Sequence, residues 1–253
     1  NESHKDTHIL IVEDNDDLQE FLKVAFQEQY KITTANDGFE AWELISKKNY
    51  DLVISDIMMP RMNGFELCER IKSTFETSHI PVILLTVLSE KTRQLEGLGL
   101  GADDYVTKPF DMSILKQRIH SILINRKIIR EKAWKLVTQP GNEQPVLSNE
   151  LNDRFVKKAI DIIRKNMADP AFGKDEFASA MHVSSSLLYK KLKALTDQSP
   201  SDFIKTIRLN YAMELLQSHK YTITEVSELS GFSSSSYFST VFKKNFGKLP
   251  TDI

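Results

Sequence analysis

Short apolar runs alternate with amphipathic segments through the first half of the chain. An uninterrupted apolar run of about four residues is typical of a strand buried on both faces. Strands are predicted at residues 9–12, 31–35, 52–56, 81–85 and 105–106. Between them, apolar residues recur at helical spacing, as Leu18, Leu22 and Phe26 do. The alternation predicts an α/β domain, with helices covering a five-stranded, doubly wound parallel sheet. Its last two helices are predicted at residues 89–98 and 112–124.

The second half of the chain shows helical periodicity only. Residues 177–193 and residues 223–246 follow the same order of features. Each has a short amphipathic helix, a tight turn at His182 or Gly231, serines that can cap a helix, and a second helix rich in lysine. This duplication predicts a separate all-α domain with two helix-turn-helix units.

The segment between the halves is predicted to be a helical extension followed by a linker. Residues 125–135 continue the last helix of the first half, and the Pro- and Gly-rich residues 139–145 break it. Either Asn149 or Asn152 begins the next helix. The predicted organisation is a first domain at 6–125, an extension and linker at 126–149, and a second domain at 150–253.

Polar residues stand where four of the predicted strands end. Glu13 and Asp14 follow the first strand, and Asp56 ends the third. Thr86 and Lys108 follow the fourth and fifth. The carboxyl ends of parallel strands share one edge of the sheet, where open α/β sheets bind ligands. Crowded carboxylates repel by several kcal/mol at an effective dielectric constant of about 20. An all-oxygen cluster of this kind suits Mg²⁺. Asp56 alone could be a solvated strand-end acid, but its neighbours favour a phosphoryl site.

Composition limits the remaining possibilities. The net charge of -2 combines 18 Lys/Arg with 23 Asp/Glu in residues 1–149 and 15 with 12 in residues 150–253, which gives -5 and +3. The single cysteine, Cys68, excludes an internal disulfide and a multi-thiolate metal site. No apolar run approaches the ~20 residues of a membrane span. A cytoplasmic segment without membrane contact is expected, and the first residue, Asn1, suggests a piece of a longer protein.

Residues 6–125 resemble the receiver domain of bacterial two-component response regulators, which has a flavodoxin-like fold. The matching residues are Glu13, Asp14, 56–60, Gly64, Thr86, Tyr105 and 108–110. Glu13 stands at a position where Asp is also common. The resemblance implies that Asp56 accepts a phosphoryl group from a phosphohistidine on a histidine kinase. The implied Mg²⁺ ligands are Glu13, Asp14, Asp56 and the backbone carbonyl of Met58.

The same resemblance implies a switch. The phosphorylated Asp56 would draw Thr86 and Lys108 inward, and Tyr105 would fill the space that Thr86 leaves. Tyr105 could equally be a half-buried strand tyrosine. The switch is expected to change the face formed by the helix at 89–98, the last strand and the last helix, and to favour a homodimer.

The second helix of each predicted helix-turn-helix unit has a face of short hydroxyls and lysines opposite its apolar face. The residues on these two faces are Ser185, Ser186, Tyr189, Lys190 and Lys193 in the first unit, and Ser235, Ser236, Ser239, Thr240 and Lys243 in the second. Such a face suits a helix laid in the major groove of double-stranded DNA, although it also suits an idle solvated surface.

Residues 153–253 resemble the AraC-type DNA-binding domain, in which a long helix, here about residues 200–218, bridges the two units. The resemblance implies that each unit places one helix in successive major grooves, roughly 34 Å apart. The aromatic-Arg ending that usually follows Pro250 is absent, since the sequence stops at Ile253. Lysines at the edges would bind phosphates and make affinity fall with salt.

The sequence therefore predicts a phosphorylation-controlled transcription regulator that is not an enzyme. The missing start Met and the polar lead-in suggest the C-terminal part of a hybrid sensor kinase–regulator. Two other functions remain open. The chain could be a relay module that receives phosphate but binds no DNA. It could also be a small phosphatase with an aspartyl-phosphate intermediate, although no second acid–base residue is placed for an exogenous substrate.

Overall fold

A computed structural model describes residues 6–87, 101–138 and 150–253 of the chain. Three predictions lie outside these ranges: the helix at residues 89–98, the linker at residues 139–145 and the helix start at Asn149. The chain divides into two compact units, residues 1–127 and residues 128–253, and each is described by itself.

Among the described residues, the first unit contains a five-stranded sheet. Its strands are β1 (His8–Val12), β2 (Lys31–Ala35), β3 (Leu52–Asp56), β4 (Val82–Val87) and β5 (Asp104–Lys108). Their order is β2-β1-β3-β4-β5, and all neighbouring strands are parallel. The predicted parallel sheet is thus confirmed. The strand order reverses between β1 and β3, so their carboxyl ends border the crevice where such sheets place ligands.

Helices pack on both faces of this sheet. Those described are α1 (Asp16–Phe26), α2 (Gly38–Lys47), α3 (Gly64–Ser73) and α4 (Met112–Thr138). Successive residues of β1 point to opposite faces, because side chains alternate along a strand. Leu10 therefore packs in one apolar cluster with residues of α2 and α3, while Ile9 packs in another with residues of α1 and α4. The single cysteine, Cys68, lies in the first cluster, and burial raises the pKa of its thiol to about 12. Cys68 is a packing residue.

Two features fix the ends of these helices. Asn15 accepts a hydrogen bond from the backbone N–H of Leu18 at 2.9 Å, so it caps α1 as the sequence predicts. Asn63 and Glu66 form a reciprocal capping box at the start of α3. Helix α4 runs to Thr138, which confirms that the last helix continues past residue 124.

The second unit is helical wherever it is described. Beyond α4, its helices are α5 (Glu150–Lys165), α6 (Lys174–Met181), α7 (Ser185–Thr196), α8 (Pro200–Gln217), α9 (Ile223–Leu229) and α10 (Ser235–Phe246), and a 3₁₀ turn follows at Pro250–Asp252. The predicted bridging helix is confirmed as α8. The alternative helix start at Asn152 is wrong, because Asn152 lies inside α5 and is buried.

The two helix-turn-helix pairs are α6–α7 and α9–α10. Left-handed residues make both turns: His182 has φ 61° and Gly231 has φ 71°. Ser184 and Ser234 then cap α7 and α10 through their hydroxyl oxygens. The predicted all-α domain with two such units is confirmed.

Candidate functional site

The ends of β1 and β3 bring three carboxylates together. Val12 pairs with Ser55 in the register of these two strands, so Glu13 and Asp56 extend from adjacent positions at the same edge. Glu13, Asp14 and Asp56 each offer an oxygen within 4.8 Å of the others. Glu13 and Asp56 are 1 % and 6 % exposed, whereas Asp14 is exposed. Two charges are therefore buried, and one opens to solvent.

Lys108, the last residue of β5, reaches this cluster from two strands away. Its Nζ lies 2.8 Å from Oε2 of Glu13 and 3.1 Å from Oδ2 of Asp56. One ammonium therefore bridges two buried carboxylates. Because three carboxylates face a single lysine, the cluster retains a negative charge that favours a cation.

Burial and the neighbouring charges shift the pKa values of Glu13 and Lys108. The pKa of the Glu13 carboxyl is raised by burial and by the nearby Asp56, although Lys108 opposes the rise. Burial alone would lower the pKa of Lys108, but its hydrogen bonds to Glu13 and Asp56 raise it overall. The lysine therefore stays charged, while Glu13 still lacks full compensation.

Backbone groups hold Asp56 in place. The N–H of Ile57 donates to Oδ1 of Asp56 at 2.8 Å, and Oδ2 faces Lys108. The turn after Asp56 folds back closely, since a Cβ on Gly64 would lie only 2.1 Å from the carbonyl oxygen of Asp56. Only glycine fits at that approach, which explains why a glycine opens α3.

Thr86, Tyr105 and Met58 were also predicted to belong to the site. Thr86 is buried and directly follows Leu85, the register partner of Asp56, so it stands at the same sheet edge. Its hydroxyl donates to the carbonyl of Val87 at 3.3 Å. Tyr105, in β5, is partly buried against the apolar cluster that contains Leu10. Met58 lies in the turn two residues after Asp56, with its side chain 74 % exposed.

An ion pair beside the site was not predicted from the sequence. Arg61, with φ 64°, bonds through Nη2 to the buried carboxylate of Asp37. Asp37 also accepts the backbone N–H groups of Phe39 and Glu40. Burial alone would raise the pKa of Asp37, but these amides and Arg61 lower it. The pair ties the turn after β3 to the start of α2. The Asp37-Gly38 turn signal could have suggested the acid, but nothing marked its partner.

The ten residues predicted to contact DNA lie on α7 and α10. Seven of these side chains are exposed: Ser185, Ser186, Tyr189, Lys193, Ser236, Thr240 and Lys243. The other three are partly exposed: Lys190, Ser235 and Ser239. Opposite them, Leu188, Leu192, Phe238 and Phe242 are fully buried. Each helix is therefore amphipathic, and its hydroxyl-bearing face is accessible.

Among the described residues, three of these ten side chains bond to partners within the protein: Ser185, Thr240 and Lys193. The Ser185 hydroxyl donates to Asp175 at 3.0 Å, and the Thr240 hydroxyl donates to the carbonyl of Ser236. Lys193 pairs with Asp197 at 2.9 Å. These are exposed contacts of small energy, which a DNA phosphate or base edge can replace.

Two protein families match the chain. The response regulator receiver domain matches residues 9–120, and a helix-turn-helix domain matches residues 177–253. The first match covers the unit that contains the acidic cluster. The second covers most of the unit that contains the paired helices.

The chain is also similar to individual proteins and solved structures. The chain is 39 % identical over 250 residues to histidine kinase P4 of Formosa agariphila, covering 99 % of this chain but 18 % of that protein. It is 37 % identical over 161 residues to the response regulator ArlR of Staphylococcus epidermidis, covering 59 % of this chain and 72 % of that protein. The signal receiver domain of a histidine kinase from Syntrophus aciditrophicus is 38 % identical, covers 47 % of this chain and 91 % of its own, and superposes with a TM-score of 0.45.

Proposed function

The chain belongs to the response regulator family, with a receiver domain joined to an AraC-type helix-turn-helix domain, and we propose that phosphorylation of Asp56 controls its binding to DNA. The supporting observation is the cluster of Glu13, Asp14 and Asp56 within 4.8 Å, bridged by Lys108. The phosphodonor is a phosphohistidine of a histidine kinase. The proposed domains are residues 6–125 and 150–253, joined by 126–149.

The cluster fits a magnesium ion. Its donors are carboxylate oxygens, the ligands that hard cations prefer, and Asp14 leaves one side open to water and substrate. Glu13, Asp14, Asp56 and the carbonyl of Met58 would hold the ion. When bound, Mg²⁺ neutralises charge on the transferring phosphoryl group.

The residues of the chain supply the remaining chemistry. A carboxylate oxygen of Asp56 attacks phosphorus, the P–N bond breaks, and the imidazole nitrogen leaves with the bonding electrons. Lys108 neutralises negative charge on the phosphoryl oxygens. The backbone N–H of Ile57 holds the other carboxylate oxygen and keeps the nucleophile oriented.

We propose that the signal leaves the site through Thr86 and Tyr105. The phosphoryl group offers acceptors to the Thr86 hydroxyl and the Lys108 ammonium, and Tyr105 moves into the space that Thr86 leaves. The resulting change in the last strand and helix favours a homodimer. A population switch from 1:99 to 99:1 requires a bias of about 5.5 kcal/mol.

The output is the binding of α7 and α10 to double-stranded DNA, which requires this part of the chain to lie in the cytoplasm. Ser186, Ser236 and Tyr189 are exposed for base contacts, and Lys190 and Lys243 stand at the edges for phosphates. Among the described residues, no helix has both the length and the apolar character of a membrane span. The chain spans 18 % of histidine kinase P4, so a place at the end of a hybrid kinase is a proposal too.

The assignment of Asp56 is tested by changing it to asparagine. Asp56→Asn removes the nucleophile at nearly constant volume, so phosphoryl uptake from acetyl phosphate and Mg²⁺ should disappear while circular dichroism stays the same. Phosphate-affinity electrophoresis measures the uptake. Asp16→Asn, which alters an exposed acid on α1, should label normally. Labelling retained by Asp56→Asn would show that the acceptor lies elsewhere.

DNA binding is tested separately by selecting sequences from a random duplex pool, with and without beryllium fluoride as a phosphoryl mimic. The mimic should enrich a pair of half-sites one helical turn apart. If neither form retains DNA although Asp56 is labelled, the chain is a relay module. Steady turnover of a soluble phosphomonoester would identify a phosphatase instead.

A further inference from the structure

A pocket opens beside α8, between the helix pair α6–α7 and the helix pair α9–α10. Its volume is about 250 Å³. The pocket is lined by Phe172 and Lys174 at the start of α6 and by Ile204 and Arg208 from α8. Phe232 and Tyr237, from the α9–α10 pair, complete its lining. The walls are thus apolar or aromatic, with basic groups among them, as in sites that bind small organic molecules.

Arg208 is the central polar group of this pocket. It is 9 % exposed, and its Nη2 donates to the carbonyl of Asp169 at 2.5 Å. Its Nε is buried and has no hydrogen-bond partner among the described residues. The turn between α9 and α10 lies against the Arg208 side chain. A Cβ on Gly231 would stand 2.9 Å from this Nε and 2.2 Å from the carbonyl oxygen of Met167. A buried, incompletely bonded guanidinium favours an anion nearby.

The charged side chains that line the pocket are all basic. Lys174, Lys205 and Arg208 line it, and no acidic side chain does so among the described residues. Lys205 is already paired with Asp202 at 3.0 Å, so Lys174 and Arg208 supply the positive charge.

Two acids near the pocket, Asp169 and Glu176, lie outside its lining. Asp169 accepts the backbone N–H of Ala171 at 2.9 Å, and Glu176 accepts that of Gly173 at 3.1 Å. These carboxylates keep their charge, but neither residue lines the pocket, where the charged side chains are basic.

We propose that this pocket binds a small organic anion, with its carboxylate or phosphate toward Lys174 and Arg208 and its apolar body between Phe172, Phe232 and Tyr237. The ligand would touch both helix-turn-helix units at once. The proposal goes beyond phosphorylation control, and it concerns the DNA-free protein, so it can fail or succeed independently of the function proposed above.

The test uses benzoate and phenyl phosphate as probes, with benzyl alcohol as the uncharged control. Each is titrated into the ¹⁵N-labelled chain without DNA. Both anions should give saturable shifts of the backbone amides of Gly173, Gly231 and Ser233, and benzyl alcohol should not. Lys174→Glu, which reverses an exposed charge at the start of α6, should weaken anion binding about tenfold or more, since it removes a charge-assisted contact.

The matched control is Lys157→Glu, the same charge reversal at an exposed position of α5. It should leave anion binding unchanged. Equal weakening by the two variants would mean that only overall charge attracts the probes, and the proposal would fail. Shifts that do not saturate would overturn it as well.

Lys174 could instead contact a phosphate of the DNA backbone. Measuring the DNA affinity of Lys174→Glu distinguishes that contact from the binding of a small anion. If Lys174→Glu weakens DNA binding while neither probe binds the free protein, Lys174 contacts the DNA backbone and the small-anion proposal is wrong. Saturable probe binding that Lys174→Glu removes, with duplex affinity unchanged by that variant, would support it.

Discussion

The acidic site and the two proposed DNA-reading helices differ in how they are assembled. The site joins Glu13, Asp56 and Lys108, which come from separate strands, and buries two of its carboxylates. Each reading face comes from one helix, with exposed side chains such as Ser236 and Lys243. The site therefore depends on long-range register, whereas a reading face needs only one capped, amphipathic helix.

This difference has an energetic consequence. In the site, removing the Lys108 charge leaves two buried carboxylates uncompensated, which is costly, whereas removing one of the crowded carboxylates relieves their repulsion. On a reading face, the internal contacts are exposed ion pairs or hydrogen bonds, such as Lys193 with Asp197, and each contributes little. Substitutions in the site should therefore alter stability and chemistry together, and substitutions on a reading face should alter binding alone.

The largest expected effect comes from Gly64→Ala. The new Cβ would meet the Asp56 carbonyl at 2.1 Å, so the turn or the strand must move, and the free energy of unfolding should fall by about 3 kcal/mol. Urea denaturation followed by circular dichroism measures it. The counterpart in the helical unit is Gly173→Ala, where the nearest atom is the mobile end of Glu176 at 3.3 Å. It should cost about 1 kcal/mol or less, the loss of a favourable N-cap residue. Equal losses of unfolding free energy in the two variants would contradict the proposed difference between the acidic site and the helical unit.

Lys108→Ala should slow phosphorylation of Asp56 without preventing it. The lost charge-assisted contact is worth about 2 kcal/mol, so the rate with acetyl phosphate and Mg²⁺ should fall roughly thirtyfold. Stopped electrophoretic time courses give the rate. Lys23→Ala, which breaks an exposed pair with Glu20, is the control and should react at the normal rate. A normal rate for Lys108→Ala would mean that the lysine serves stability only.

Glu13→Gln should stabilise the protein when no metal is added. The pKa of Glu13 is raised in the folded state, mainly by burial, so the folded protein holds this proton more tightly than the unfolded chain does. Stability therefore falls as pH rises from the unfolded pKa, about 4.3, through the raised folded pKa, and glutamine removes that loss.

The gain should be present at neutral pH and absent below the unfolded pKa. Urea denaturation between pH 4 and pH 8 should show the advantage growing with pH. Glu28→Gln, an exposed acid after α1, should show no such trend. An advantage that shrinks as pH rises would contradict the assigned direction of the shift.

The smallest expected effect concerns a reading face. Lys243→Ala should reduce the dependence of log K on log salt by about 1, with a modest and sequence-independent loss of affinity. Fluorescence anisotropy on a selected duplex at several salt concentrations measures the slope. Lys220→Ala, at an exposed position outside α10, should leave it unchanged. A loss of stability in Lys243→Ala would contradict the expectation that substitutions on a reading face alter binding alone.

Much of the architecture could be predicted from local patterns. Apolar runs predicted the parallel sheet, Asn15 predicted the start of α1, and the serine runs predicted the caps of α7 and α10. These features depend on residues close together in the chain. Asn152 was the exception: its cap-forming side chain is buried inside α5, where packing overrides local preference.

Local patterns were enough to predict the order of strands and helices, the polar residues at the strand ends and the amphipathic faces of the paired helices, because periodicity and capping act over a few residues. Three contacts could be seen only in the folded chain: Lys108 bridges Glu13 and Asp56, Arg61 pairs with Asp37, and the buried Arg208 meets the turn between α9 and α10 at Gly231. Such contacts depend on distance in space and on burial, and neither leaves a periodic trace along the chain.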